Sequence, residues 1–438
     1  MDRARKNVFV VGADEYNQRI LDAMPDVERY RFLPVLTFED VYGGTLAFES
    51  ALRAAEHIID AARVPVDAVI GFWDFPVSAL VLLLRERYGL PAVRLEELLM
   101  CEHKYWSRLV QREVIDEYPP FALVDPDNDR RPPDAIRFPM WIKPVKSFGS
   151  MLAFGVDDDA AFAAALTQIK EGIGWIGAPF DALLEHVSLP ARIAAVGGRM
   201  CLAEEAITGR QLTVEGYQYH GDVVIYGIVD SVRYDNSPSF QRFEYPSSIP
   251  DRVAARLADI ASRLVHRIGL ESMTFNIEFF WDPGTDAVTL LEINPRHSQS
   301  HAELFAHVDG MSNHEVMLRL ALGEAPLVRH RQGRYRIAAK CFARRFTDGI
   351  VRRCPSAEEI MAIERVVPGV SIVLAAREGD VLSRLKRQDS YSYHLASIYI
   401  GADDDADLRS KFHHTIASLT FEIDDTGPLP ARLETGAP

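Results

Sequence analysis

Short apolar runs alternate with stretches of helical spacing from the start of the chain. Val8 to Val11, closed by Gly12, predicts a buried parallel strand, and Arg31 to Leu36 and Ala68 to Phe72 predict two more. Between and after them, Asn17 to Met24, Thr45 to Ala62 and Pro76 to Tyr88 carry helix formers. Residues 1–95 thus predict a small open α/β domain. Such units hold ligands beyond the carboxyl ends of their strands, which singles out Gly12-Ala13-Asp14 and Phe72-Trp73-Asp74. Asp74 stands just before Pro76 and is expected to cap the next helix in preference to touching a substrate.

Residues 96–330 predict a second unit. Its elements are a helix from Leu95 to Asp116, a Pro/Asp/Arg-rich loop from Tyr118 to Pro133, a strand–loop–strand from Met140 to Val156 and a helix from Asp159 to Lys170. Strands are then expected at Ala182–Val187, Ala191–Val196, Met200–Ala206, Leu212–Tyr219 and Val223–Asp230. A helix from Arg252 to Ile268 and strands at Ser272–Trp281 and Ala287–Ile293 complete it. In residues 331–438 the same style returns, as a C-terminal α/β lobe. Ser356 caps a helix from Ala357 to Ile363, strands fall at Ser371–Ala375 and Ala396–Gly401, and a helix closes from Ala406 to Ser418.

Composition narrows the function classes. The 438 residues carry 48 Lys plus Arg against 63 Asp plus Glu, a net charge of −15. That balance disfavours a nucleic-acid binder, which needs a basic face. The four cysteines, Cys101, Cys201, Cys341 and Cys354, form no CxxC pair and are expected as reduced, mostly buried thiols in a cytoplasmic protein. The first residues lack a signal-peptide pattern, and no run of about 18 apolar residues predicts a membrane span.

Three stretches carry candidate chemistry. Phe275 to Trp281 and Val288 to Arg296, joined through Pro283-Gly284, read as an antiparallel hairpin. Alternation puts Glu292 and Asn294 on one face, with Glu278 opposite on the partner strand. Two carboxylates and an amide oxygen inside an apolar element suit Mg²⁺ that takes its other ligands from water and phosphate. Arg296 adds a planar cation on the same side. Second, Lys143 ends an apolar strand and leads into Lys146-Ser147-Phe148-Gly149-Ser150, a small-residue loop able to close over phosphates, though not a Walker pattern. Third, Ala203-Glu204-Glu205-Ala206-Ile207-Thr208-Gly209 runs from one strand through a turn into another that carries Gln211 and Glu215.

In this order and spacing, after a helix bearing Lys104 and Arg108, the three stretches resemble the ATP-grasp superfamily, and within it the carboxylate–amine (amino-acid) ligase branch. The resemblance implies an α/β (α+β) ATP-grasp fold: an N-terminal open α/β domain, a central two-part grasp and a C-terminal lobe. The grasp would divide into a nucleotide-binding part at 135–210 and a metal-binding, catalytic part at 211–330. Lys104, Lys143 and Lys146 would contact ATP phosphates, with Ser147 to Ser150 as the loop over them. Glu204 would accept from the adenine amino group, and Glu205 and Ile207 would supply hinge contacts. Gln211 stands where the family usually has an acidic ribose contact. Glu278, Glu292 and Asn294 would hold two Mg²⁺ (or Mn²⁺) ions. Arg296, Glu215 and Arg242 would act on the transferring phosphoryl group or the substrate, Arg242 and Arg233 lying where related ligases place a further cation. The implied reaction forms an amide from a small carboxylate and an amine through an acyl phosphate. Its partners are small molecules, not nucleic acid or membrane, and dimers are common in the family. Alternatives are a nucleotide-binding regulatory protein without turnover, a thioester-forming enzyme, and a biotin carboxylase. Biotin carboxylases carry a glutamate where this chain has Ser300.

Overall fold

The computed structural model describes residues 5–43, 47–147, 151–235, 237–385, 388–389 and 391–427. Strands β1 (Lys6–Ala13), β2 (Tyr30–Thr37) and β3 (Ala68–Ile70) form a parallel sheet in the order β2-β1-β3. All three expected helices are present beside it, as Glu15–Asp22, Phe48–Ala61 and Val77–Arg87. Thr45, the expected start of the second, lies outside the described residues.

A four-stranded antiparallel sheet follows. Its strands are β4 (Phe121–Val124), β5 (Met140–Pro144), β6 (Phe154–Val156) and β7 (Cys201–Glu205), in the order β4-β7-β5-β6. Alternation gives it two unlike faces. Met140, Ile142, Cys201 and Ala203 pack with Phe162, Leu166 and Ile169 of the helix Asp159–Gly172. Trp141, Lys143 and Glu204 face the other way.

The largest sheet contains β8 (Arg210–Tyr219), β9 (Asp222–Arg233), β10 (Phe240–Tyr245), β11 (Met273–Trp281), β12 (Val288–Asn294) and β13 (Ile337–Arg345). β14 (Asp348–Arg353) pairs instead with β17 (Glu422–Gly427), while β15 (Val370–Leu374) and β16 (Tyr393–Ala402) rejoin the large sheet. Its order is β12-β11-β8-β9-β10-β13-β16-β15. Three strands of the tail expected as a separate lobe therefore extend the central sheet. The helix Asp251–Ile268 covers its back near β8 and β11, burying Leu257, Ile260, Leu264 and Val265 against Leu212, Val214, Ile277 and Phe279.

Two expectations change. Ala182–Val187 and Ala191–Val196 are not strands: Gly174–Leu184 and Ala191–Ala194 are helical. A short apolar run fits either state by pattern alone. Here Ile176, Phe180, Leu183 and Leu184 recur at helical spacing and are buried together. The long helix expected at Leu95–Asp116 breaks at His103 into Leu95–Glu102 and Lys104–Val114. The His103 ring accepts from the Trp106 amide (3.3 Å) and caps the second helix. No helix of the described residues is long and apolar enough to cross a membrane. All four cysteines are free thiols, and all but Cys354 are buried.

β7 and β8 lie in the two different sheets, and only Ala206 to Gly209 join them. Gly209 has φ +116°, and a Cβ there would lie 2.5 Å from the Trp281 carbonyl oxygen. Gly209→Ala is therefore expected to lower stability by about 1–3 kcal/mol. That outweighs the loss of unfolded-state freedom, which favours alanine by under about 1 kcal/mol. An unchanged urea midpoint would show that this connector is not held rigidly.

Candidate active site

The front faces of the four-stranded and eight-stranded sheets meet across a cleft of about 200 Å³. The helix Lys104–Val114 wedges between them and aims Lys104 and Arg108, one turn apart on one face, into the gap. Lys104 donates to Glu292 Oε2 (2.9 Å) and to the Ser147 carbonyl (2.9 Å). Arg108 is 2% exposed and bonds both sheets. Its Nε donates to Glu204 Oε1 of β7 (2.5 Å), and its terminal nitrogens donate to the Leu290 and Leu291 carbonyls of β12 (3.0 and 2.8 Å). Glu278 faces Glu292, but the next residue, Phe279, faces Leu290; the bulge this leaves at Leu291 breaks the ladder where Arg108 collects those carbonyls.

Lys143 ends β5 with its ammonium 2.6 Å from Glu204 Oε2. Both Glu204 oxygens are thus engaged by buried cations. Burial alone would raise this carboxyl, but Arg108 and then Lys143 overcome it and hold it down at about 2.

Glu278 and Glu292 stand directly opposite on the hairpin. Burial, then the charge of Glu292, pushes Glu278 up to about 7. For Glu292, Lys104 and Lys143 outweigh burial and hold its carboxyl below the ordinary range. Gln211 donates to Glu278 Oε2 (2.7 Å) and accepts from Arg233 (2.6 Å). The Arg233 guanidinium lies over the Phe240 and Phe280 rings, 5.4 and 5.5 Å from their centroids. Asn294 bonds Asn276 (3.0 Å) and reaches Glu278 at 3.5 Å.

These groups fit a hard divalent cation. Two facing carboxylates, one of them raised by burial and then by the other's charge, would be relieved by a 2+ ion. No group of three or more His, Cys, Asp or Glu side chains able to hold a metal occurs among the described residues.

Of the residues singled out in the sequence, Lys104, Lys143, Ser147, Glu204, Glu205, Ile207, Gln211, Glu278 and Glu292 line this one cleft. Glu205 sits at its rim and pairs with Arg137 (2.8 Å). Arg296 stands apart from these, and its Nε and Nη2 make a bidentate bridge to Asp74 (2.8 and 2.7 Å). Asp74 was expected as a cap; its side chain instead holds this arginine, and the helix after it has no side-chain cap. Lys146 turns away from the cleft. It is buried against Glu102, beside the Phe75 and Phe180 rings, and its ammonium is pulled down to about 8, chiefly by burial. Glu215 is fully buried outside the cleft, where it accepts from Tyr226 (2.7 Å), Asn313 (3.0 Å) and the Ser298 amide (3.3 Å) and meets the His301 ring (2.6 Å). Arg242 pairs with Glu244 (2.5 Å) and Gln241 on its own strand and does not line the cleft. Ser150, with Phe148 and Gly149, lies outside the described residues.

Sequence reasoning assigned no role to Arg108 and left Arg233 undistinguished from Arg242. The available signal was periodicity: Arg108 follows Lys104 by four residues on a helix, and Arg233 closes an alternating strand. Trp141, Phe240 and Phe280 complete the walls.

Residues 136–302 match the family model described as "ATP-grasp domain". The chain carries an ATP-grasp domain. The match spans β5 to the start of the helix Ala302–Asp309, so it contains both sides of the cleft. Among curated proteins, the carbamoyl phosphate synthase large chain of Paenarthrobacter aurescens is 32% identical over 76 residues. That segment is 17% of this chain and only 7% of that relative's length. Among solved structures, the L-amino acid ligase of Bacillus licheniformis superimposes with TM-score 0.71 at 14% identity, covering 96% of this chain and 100% of that one. The Campylobacter jejuni biotin carboxylase, solved as a βγ-ATP complex, gives TM-score 0.63 at 13% identity, covering 95% of this chain and 92% of that one. At such identities the likeness concerns the fold. Both neighbours share the ATP-grasp architecture over nearly the whole length of this chain.

Proposed function

We propose that this protein is an ATP-dependent ligase that activates a small carboxylate as an acyl phosphate and passes the acyl group to an amine. The observation that carries the reading is the convergence of Lys104, Lys143, Glu278 and Glu292 in one cleft between two sheets. Phosphoryl transfer depends mainly on positioning and on neutralising charge, and these are the residue types it requires.

In this reading Lys104 and Lys143 lie along the triphosphate, with Lys143 held ready by Glu204. Because both Glu204 oxygens are engaged, Ile207 and Glu205 at the connector meet the base, beside Trp141 and Phe280. Gln211 and Arg233 offer an amide and a guanidinium to the ribose or phosphates where the family usually has an acid. Glu278, Glu292 and Asn294 would hold Mg²⁺, which supplies Lewis-acid polarisation of the phosphate oxygens when bound. Arg296, set by Asp74, presents a fixed cation to the substrate carboxylate. Closure of the two sheets excludes water that would otherwise hydrolyse the activated acyl group. Glu215, Arg242 and Lys146 take no part in this scheme. The carboxylase alternative lacks its acid: Ser300 stands at that position and accepts from the buried Lys340 (3.0 Å).

The test is phosphate release from Mg-ATP across paired panels of small carboxylic acids and amines, with products identified by mass. Amide product with stoichiometric ADP supports the reading. Absence of phosphate release for every pair would sink it, and a thioester product would replace the amine by a thiol. A cytoplasmic location, and a homodimer testable by light scattering, go with this proposal.

Arg233→Ala is expected to weaken ATP-analogue binding about tenfold, the scale of one charge-assisted contact, while leaving some turnover. Titration calorimetry with a non-hydrolysable analogue checks this. Unchanged affinity would assign Arg233 to packing on Phe240 and Phe280 alone.

A further inference from the structure

A second cavity, of about 450 Å³, shares no lining residue with the nucleotide cleft. It lies between the helix Glu15–Asp22, the helix Ala302–Asp309 and the start of the helix Asn313–Ala321, with Ser371 of β15 at its edge. Along the eight-stranded sheet, Ser371 is six ladder steps from Glu278 on β11. At about 4.8 Å per step that is roughly 25–30 Å of sheet.

Two carboxyls, and two polar atoms unpartnered among the described residues, line the cavity. Glu303 and Glu315 line it, and neither forms an ion pair among the described residues. Burial raises both carboxyls above the ordinary range. Ser371 donates to Glu303. Arg19 lies at the exposed mouth and likewise makes no salt bridge among the described residues, resting instead over the Tyr16 ring (5.9 Å). Ser312 Oγ and His307 Nε2 are enclosed without a hydrogen-bond partner among the described residues. Ile20, Met24 and Met311 supply an apolar wall. Buried polar groups are normally satisfied, so an enclosed set left open points to an absent partner.

We infer that this cavity is a second small-molecule site, for a free α-amino acid with an apolar side chain. Its ammonium would lie at Glu315, its carboxylate at Arg19, and its side chain against Ile20, Met24 and Met311. Ser312 and His307 would complete the polar contacts. Leucine, methionine and phenylalanine represent this class. The site is independent of nucleotide chemistry, so its test does not depend on the ligase reading.

The test is titration calorimetry of the full chain with L-leucine, L-methionine and L-phenylalanine, without nucleotide. Saturable one-to-one binding is expected for at least one of them. For that amino acid, the matching carboxylic acid without the amine and the matching amine without the carboxylate are expected to bind at least about tenfold more weakly. Arg19→Ala and Glu315→Gln should each weaken binding by at least about tenfold. Ala306→Trp, on the exposed helix face, fills the cavity and should abolish it, while ATP-analogue binding in that variant stays at the wild-type value and reports that it folds. The inference is overturned if none of the three amino acids binds, if either truncated analogue binds as well as the amino acid, or if Ala306→Trp binds as wild type does. Loss of binding in Lys143→Ala would also overturn it, by moving the ligand to the nucleotide cleft.

Discussion

Glu292→Ala is expected to reduce phosphate release by about 10²–10³-fold, the scale of losing one pre-organised electrostatic contact at a reacting centre. Two effects combine. The change removes one of the two facing carboxylates proposed to hold Mg²⁺, and it takes from Lys104 the carboxylate that fixes its ammonium at 2.9 Å. Lys104 keeps the Ser147 carbonyl (2.9 Å), so the helix end should not unfold. Glu292→Gln preserves the shape and the hydrogen bond but not the charge, and it should be nearly as inactive. Calorimetry with an ATP analogue and Mg²⁺ supplies a second readout, where affinity should fall with turnover. If Glu292→Ala binds the analogue normally while releasing no phosphate, the carboxylate serves the reaction but not the metal. If it retains full turnover, the metal assignment fails.

The largest loss of stability is expected from Glu204→Ala. Glu204 is 2% exposed and lies between two cations that are themselves buried, Arg108 at 2.5 Å and Lys143 at 2.6 Å. Removing it leaves both uncompensated, which costs about 3–5 kcal/mol when a buried pair is broken from one side. Arg108 would keep the Leu290 and Leu291 carbonyls, so Lys143 should suffer more. Urea unfolding of the variant against wild type measures the difference, and a loss under about 1 kcal/mol would show that water replaces the carboxylate. The same residue sets an acid limit. Its native carboxyl is depressed to about 2 from an ordinary 4.5. Its contribution is therefore complete above about 4.5 and is lost as pH falls toward 2. With about 1.4 kcal/mol per unit, that window holds about 3 kcal/mol. Glu204→Gln should flatten the fall in stability between those two values.

The cleft was legible where local pattern determines geometry. Alternation placed Glu278 within reach of Glu292 and Asn294 across the hairpin, but their direct opposition depends on the one-residue bulge at Leu291, which alternation does not show. A four-residue step on a helix aligned Lys104 with Arg108. Alternation says which way a side chain points, however, not what it meets. Glu215 occupies a proper inward-facing position on β8, yet its oxygens are bonded by Tyr226, Asn313 and His301, which come from other elements. Lys146 looked like part of a phosphate loop, but Glu102, 44 residues earlier, claims it. Asp74 read as a cap because its partner Arg296 is 222 residues away. The misread strands near 182 and 191 arose from short apolar runs whose helical spacing becomes evident only once their common burial is known.

That last bridge bears on how such a chain can be recombined. Asp74 follows β3 and lies outside the matched ATP-grasp segment, whereas Arg296 follows β12 inside it, so the proposed substrate-binding cation is oriented by a residue from outside that segment. An isolated grasp fragment could keep its nucleotide cleft and still leave Arg296 unoriented. First lobes exchanged between homologues to change acceptor specificity would have to bring an acid to the position of Asp74, or the chimera would bind nucleotide without directing it. One carboxylate thereby ties the N-terminal sheet to the hairpin that carries Arg296, and a redesign of either would have to keep the pair.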